Sequence, residues 1–214
     1  MDVGHLVAFD DTVDAGGIDS FMFLGTEGDR VFINSSADQS LALALRNLTS
    51  EEVVATDAGT DARIEYTLPS NGLYQIGIIN SSDSDQNYVA TFEGDVGISF
   101  ELQPHFYAIG SYAPEQRLSY LVLSAVEGDD LVFQAQPHPI FDLDLGVEIY
   151  AFSDSQLLLS QDDQGKSQPE DVYYTVGQDG LNPPYVIWVE GVDGEGGIFM
   201  LTLNHNGVGN LNVP

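Results

Sequence analysis

Acidic side chains crowd two stretches of this chain, and crowded carboxylates are the chemistry of hard-cation binding. The first stretch is Asp10-Asp11-Thr-Val-Asp14, followed closely by Asp19. Ca²⁺ takes roughly six to eight oxygen ligands at about 2.3–2.6 Å, which the carboxylates and carbonyls of an acidic loop can supply. The same residues also describe a solvated N-terminal loop that contributes only charge. The second stretch is Asp142-Leu-Asp144-Leu-Gly146-Val-Glu148. On a strand its acids share one face while Leu143, Leu145 and Val147 share the other. Like charges in such a row repel unless water or a cation screens them. The row is therefore either an exposed stripe or part of a cation site with Asp162 and Asp163. It is not an EF-hand loop, because Leu and Val stand where that loop needs ligands.

A second kind of chemistry is aromatic. Trp188, the only tryptophan, together with Phe106-Tyr107, Tyr112 and Tyr120, is the candidate binding face. An outward indole stacks on a sugar ring or packs on a polymer chain. The alternative is an indole covered by the neighbouring part of the chain. Catalytic constellations are poor: there is no G-x-S-x-G elbow, no H-E-x-x-H, no phosphate loop and no cysteine. His5, His105, His138 and His205 lack metal-ligand spacing. Sequons stand at Asn34, Asn47 and Asn80, which matter only in a host that glycosylates.

Charge narrows the partners. Thirty-four acidic residues face five basic ones, a formal net charge of -29. Nucleic acid is excluded for want of clustered cations, and an anionic membrane surface would repel the chain. Divalent cations, high-salt solubility and freedom from aggregation are what such a charge favours. With 43% hydrophobic residues the chain has enough apolar side chains to fold despite its acidity. No apolar run is long enough to span a bilayer as a helix, and Met1-Asp-Val-Gly-His is not a signal peptide. The absence of cysteine rules out disulfides and permits secretion.

The elements that would position these residues are set by an internal repeat. Phe21-Met-Phe-Leu-Gly-Thr-Glu27-Gly28-Asp29 is answered by Leu121-Val-Leu-Ser-Ala-Val-Glu127-Gly128-Asp129, and Tyr74-Gln-Ile76-Gly-Ile78 by Tyr185-Val-Ile187-Trp-Val189. Two copies of one small domain follow, 1–95 and 96–214, with the junction near Glu93-Gly-Asp-Val-Gly97. Period-2 alternation predicts strands at 18–24, 29–35, 40–47, 52–56, 62–68, 73–80 and 87–93, then at 105–112, 118–125, 130–136, 143–152, 156–161, 171–177, 184–190 and 197–204. The fold class is all-β, two tandem antiparallel β-sandwiches. Alternation puts Tyr74, Ile76 and Ile78, like Tyr185, Ile187 and Val189, in the core. Trp188 then points outward, where the first copy has Gly77.

At these residues the chain resembles the bacterial pre-peptidase C-terminal (PPC) domain, twice over. The matching segments of the first copy are Asp19-Ser-Phe21-Met-Phe23, Glu27-Gly-Asp29, Leu41-Ala-Leu43, Gly72-Leu-Tyr74-Gln-Ile76-Gly-Ile78 and Tyr88-Val-Ala. Those of the second are Glu127-Gly-Asp129, Asp142-Leu-Asp144-Leu, Tyr185-Val-Ile187-Trp-Val189 and Phe199-Met-Leu-Thr-Leu203. The resemblance implies jelly-roll-like sandwiches exported beside proteases, without catalytic residues, and related to the calcium-ordered collagen-binding modules of secreted collagenases. Ser119-Tyr120 stands where the first copy has Asp19-Ser20, which removes one oxygen ligand from the second copy.

The reading is a non-catalytic, extracellular or cell-surface accessory or adhesive module, stabilised by calcium. Its partner is a polysaccharide, a fibrous protein or another domain of a larger secreted protein, with no membrane insertion. The alternatives are a self-assembling or surface-layer segment and, third, an enzyme with an unrecognised acidic site.

Overall fold

The computed structural model describes residues 4–95, 97–102, 107–113, 116–123, 125–153, 155–178, 183–192 and 196–206. Their regular structure is β1 Gly4–Val13, β2 Ile18–Gly25, β3 Arg30–Asn47, β4 Glu52–Thr67, β5 Gly72–Ile79, β6 Gln86–Asp95, β7 Ser99–Glu101, β8 Tyr107–Tyr112, β9 Arg117–Val122, β10 Asp130–Pro137, β11 Leu145–Ala151, β12 Leu157–Gln161, β13 Glu170–Thr175, β14 Tyr185–Gly191 and β15 Gly197–Asn206. Among these residues no helix is long and apolar enough to cross a membrane. The chain divides into two compact units, Gly4–Phe100 and the chain from Glu101 onward.

In the first unit β3 and β4 form one long hairpin that serves both sheets. Residues 31–37 of β3 pair with β6, and residues 42–47 pair with β5. β4 follows β3 throughout, with a register shift between Ser36 and Leu41 where the hairpin passes from one sheet to the other. The sheets are thus β1-β6-β3-β4 and β7-β2-β5-β3-β4. In the second unit the corresponding hairpin is cut into separate strands, giving β8-β15-β10-β13 and β9-β14-β11-β12. Counted as eight segments, each unit pairs 1-8-3-6 in one sheet and 2-7-4-5 in the other, all antiparallel, the order of a jelly roll.

Inward positions of the alternating strands make each core. Phe23 on β2 meets Phe92 on β6 at 5.1 Å between ring centroids, and Tyr74 and Phe100 extend the aromatic row. In the second unit Tyr120 on β9 faces Phe199 on β15, and Tyr174 on β13 faces Tyr185 on β14. Each such buried side chain contributes on the order of 1.5–3 kcal/mol by leaving water.

The repeated turn is reproduced bond for bond. Gly28 and Gly128 take φ of 94° and 92°, a left-handed conformation that only glycine adopts without strain. Their N–H groups donate to Leu68 O and Val176 O, each at 2.9 Å. The Asp29 and Asp129 carboxylates accept from the N–H of Thr26 and Val126, each at 2.8 Å.

Several expectations change. The first unit opens with a strand, β1, where the sequence suggested an acidic loop; ten successive pairs with β6 outweigh the poor strand propensity of Asp10 and Asp11. Strands expected separately at 29–35 and 40–47, and at 52–56 and 62–68, are continuous as β3 and β4. The unit boundary lies at 100/101 instead of 95/96, because β7 sets Phe100 opposite Phe23 and against the Phe92 ring at 4.6 Å. Between β2 and β9 the sequence repeat is out of step by one residue. Asp19 lies opposite Ile78 and Leu118 opposite Val189, so the structural counterpart of Asp19 is buried Leu118, not Ser119.

Two of the three sequons are structural. Asn80 is buried; its amide donates to the carbonyls of Val13, Asp14 and Ser84, and its Oδ1 accepts from Ser82. Asn47 is also buried and caps the turn at Thr49 and Ser50. Neither amide is accessible to a glycosyl donor in the folded unit.

Candidate functional site

Strand parity puts Trp188 on the outer face of sheet β9-β14-β11-β12, as the sequence predicts: Tyr185, Ile187 and Val189 are fully buried and Trp188 is half-exposed between them. The outward residues of the two flanking strands complete a cluster. Glu148 on β11 and Ser119 on β9 stand directly opposite Trp188, and Arg117 stands opposite Glu190. The Arg117 guanidinium lies over the indole, its carbon 3.7 Å from the ring centroid. Its Nη1 donates to Glu148 Oε2 at 3.4 Å and lies 4.0 Å from Glu190 Oε2. Tyr150 packs obliquely on the indole at 4.4 Å and donates its hydroxyl to Glu148 Oε2 at 2.9 Å. Desolvation and the adjacent Glu148 carboxylate push the Tyr150 phenol above its ordinary pKa.

Nothing equivalent exists on the first unit. At the matching register positions Trp188 is replaced by Gly77, Glu148 by Ala44, Tyr150 by Arg46, Arg117 by Ile18 and Glu190 by Ile79. That face is smooth and nearly uncharged; the second unit's face is planar, aromatic and hydrogen-bonding. Tyr107 and Tyr112 belong to β8, in the other sheet of their unit, and their side chains, like Phe106, lie outside the described residues; Tyr120, expected on the same face, is fully buried on β9 and packs against Phe199 in the core.

No protein-family model matches this chain, and no curated protein matches it. Solved structures give distant likenesses in fold. The periplasmic lysozyme inhibitor of g-type lysozyme from Aeromonas hydrophila is 9% identical, covering 43% of this chain and 88% of its own, at a TM-score of 0.39. The N-terminal CBM22-1–CBM22-2 tandem domain from Paenibacillus barcinonensis Xyn10C is 6% identical over 86% of this chain and 80% of its own, TM-score 0.29. The tandem CBM51 modules of the family 98 glycoside hydrolase from Streptococcus pneumoniae are 8% identical over 91% of this chain and 84% of theirs, TM-score 0.28. Two of these three are thus tandem carbohydrate-binding modules.

The acidic residues are distributed differently from the aromatic cluster. Asp10 and Asp11 line an open hollow of about 730 Å³ beside β1, β6 and β3, with Thr12, Ser36, Asp38, Asn87 and the inward-facing Tyr88. Asp19 accepts a hydrogen bond from the Tyr88 hydroxyl at 3.0 Å. Burial raises the Asp19 pKa, that bond lowers it, and the charges of Asp11 and Asp14 raise it again. In the second unit Asp142 accepts from Ser167 Oγ at 2.9 Å and Asp163 from Gln161 Nε2 at 2.8 Å. Asp144 O accepts from the N–H of Val192 at 2.9 Å. Asp162 and Asp163 adjoin Glu170, whose buried carboxylate accepts the Gln164 N–H at 2.7 Å. Among the described residues no group of three or more His, Asp or Glu side chains is gathered as a metal centre.

Sequence reasoning placed Trp188 and noted Glu148, but missed Arg117, Tyr150 and Glu190 as its neighbours. The available signal was the scarcity of cations: an arginine on a chain with five basic residues, at outward parity one strand from the lone tryptophan, was a candidate partner for it.

Proposed function

We propose that this protein is a non-catalytic, secreted accessory module of two PPC-like units, and that its second unit binds a neutral polysaccharide on the outer face of β9, β14 and β11. The observation that supports this is the Trp188–Tyr150–Arg117–Glu148–Glu190 cluster on a face that the first unit leaves smooth. An outward indole is not needed for the core, and its flat apolar face matches the C–H face of a pyranose ring. The carboxylates of Glu148 and Glu190 beside it are acceptors for adjacent hydroxyls. A net charge of -29 opposes polyanions, which leaves neutral chains.

Calcium stabilisation is proposed for the first unit. The charges of Asp11 and Asp14 disfavour ionised Asp19, and a divalent cation near them relieves that repulsion. It would act as a neutralising ion, since the described carboxylates do not converge as a centre.

Titrating Trp188 emission with soluble neutral glycans, and pull-down on insoluble ones, tests the binding reading. Binding is expected to shift the emission and to be lost in Trp188→Ala, with the melting temperature little changed. Response to collagen alone would reassign the face to a fibrous protein. Response to neither would remove the reading.

A further inference from the structure

The indole that would stack on a ligand is already stacked. At 3.7 Å the Arg117 guanidinium is in van der Waals contact with the Trp188 ring, and no ring can enter between them. Tyr150 takes a second side of the indole at 4.4 Å, so the area that a sugar ring needs is the area under Arg117. The guanidinium is itself planar, and its Nη1 is held by Glu148 at 3.4 Å and, at 4.0 Å, by Glu190. Yet the hold is a surface one. The Arg117 side chain is 45% exposed and that of Glu190 42%, where ion pairs are weak and easily screened, while Glu148, at 22%, is the better shielded partner.

We propose that Arg117 is a movable cover over Trp188, an internal competitor that must swing off the indole before a polymer ring can stack there. This inference rests on the polysaccharide reading of the same face and adds its regulation. Binding and the Arg117–Glu148–Glu190 contact are mutually exclusive, so the apparent affinity is reduced by the fraction of molecules in which the cover is closed. Added salt screens both pairs, the more exposed Glu190 pair most, and opens the face, so an acidic protein of this kind binds its polymer better in brine than in dilute buffer. The carboxylates released by the guanidinium then become acceptors for ligand hydroxyls, so one movement exposes both the stacking surface and its polar rim.

The test uses the whole chain and first needs no ligand, because Trp188 is the only tryptophan. Acrylamide quenching of Trp188 should rise in Arg117→Ala and, by less, in Glu148→Gln. It should also rise in the unchanged protein between dilute buffer and about 1 M sodium chloride, where the Debye length falls to about 3 Å, but not in Arg117→Ala. With a neutral polysaccharide in hand, Arg117→Ala should bind about three- to tenfold more tightly, as the loss of an exposed cation–π contact and weak ion pairs implies. Weaker binding by Arg117→Ala would make Arg117 a ligand contact and overturn the cover. Unchanged quenching in Arg117→Ala would overturn it too. If no polysaccharide binds either protein, the functional reading fails, while the ligand-free quenching still decides whether the guanidinium covers the indole.

Discussion

The two units share one pairing order and almost nothing else on their surfaces. In the first, β3 runs unbroken from Arg30 to Asn47 and bends from one sheet into the other. In the second, the same path is interrupted after Pro137 and resumes at Leu145, and the return path is interrupted between Gln161 and Glu170. Pro137, Pro139 and Pro169, which lack the N–H that a ladder needs, mark these breaks, and the first unit has no proline in β3 or β4. The outer faces differ as sharply, Gly77 against Trp188 and Ala44 against Glu148. What survives in both copies is the inward set and the Gly28/Gly128 turn. The jelly roll is thus specified by core positions and one turn, and the outward faces and loops are free to diverge in chemistry.

Truncation gives the largest expected effect on this comparison. A chain ending at Phe100 should unfold cooperatively by itself, and one ending at Asp95 should be less stable by roughly 3–5 kcal/mol, the cost of removing a buried aromatic. Equal denaturation midpoints for the two would show that β7 is no part of the first core.

Asn80→Ala comes next. It leaves the carbonyls of Val13, Asp14 and Ser84 without the amide that joins them, at a cost of roughly 2–4 kcal/mol. Because the only tryptophan lies in the second unit, far-UV ellipticity should shift to lower denaturant while the Trp188 transition stays in place. Coincident shifts of both probes would mean that the units unfold as one.

Acidity should act more gently and on both units. Burial raises the carboxyl pKa values of Asp19, Asp29 and Glu170 above their ordinary range. A raised pKa means that the folded state holds the proton more tightly than the unfolded one. The resulting stabilisation is complete below the ordinary carboxylate pKa and is lost as pH rises through the raised one. The melting temperature should therefore rise as the pH falls from neutrality toward the ordinary carboxylate range, helped by the falling net charge. Melting scans across that range check it, and a monotonic fall on acidification would contradict it.

The smallest effect concerns calcium. Millimolar calcium should raise the melting temperature of the first unit more than sodium chloride does at matched ionic strength. Identical curves in calcium and in EDTA would dispose of the cation.

Alternation made most strands legible, because inward Val, Ile, Leu, Phe and Tyr recur at every second residue in β5, β10 and β14. It failed for β1, where paired aspartates hide a strand whose partner lies at the far end of the unit. It left a gap in β3 at 36–39, between strands expected at 29–35 and 40–47, where the chain carries the bend between sheets. Across β2 and β9 the shared Glu-Gly-Asp turn pulled the repeat out of step by one residue, because similarity in a turn says nothing of the length of the segment leading into it. The Trp188 face was half legible: parity gave the direction of the indole, but the partners on β9 and β11 depend on sheet neighbours and register that no local pattern encodes.

The pairing of β1 with β6 has a mechanical consequence. Gly4 stands opposite Asp95 and Val13 opposite Gln86, so the first and last long strands of the unit begin and end side by side. β8 and β15 repeat the arrangement, with Tyr107 opposite Thr202. Tension drawn through such antiparallel neighbours loads their hydrogen bonds one rung at a time, as in opening a zipper, and not all together in shear. Each unit would therefore yield at low force, and in the second unit the pair that peels first lies in the sheet that does not carry Trp188. A module tethered between a surface and a polymer could lengthen under load while its aromatic face keeps hold.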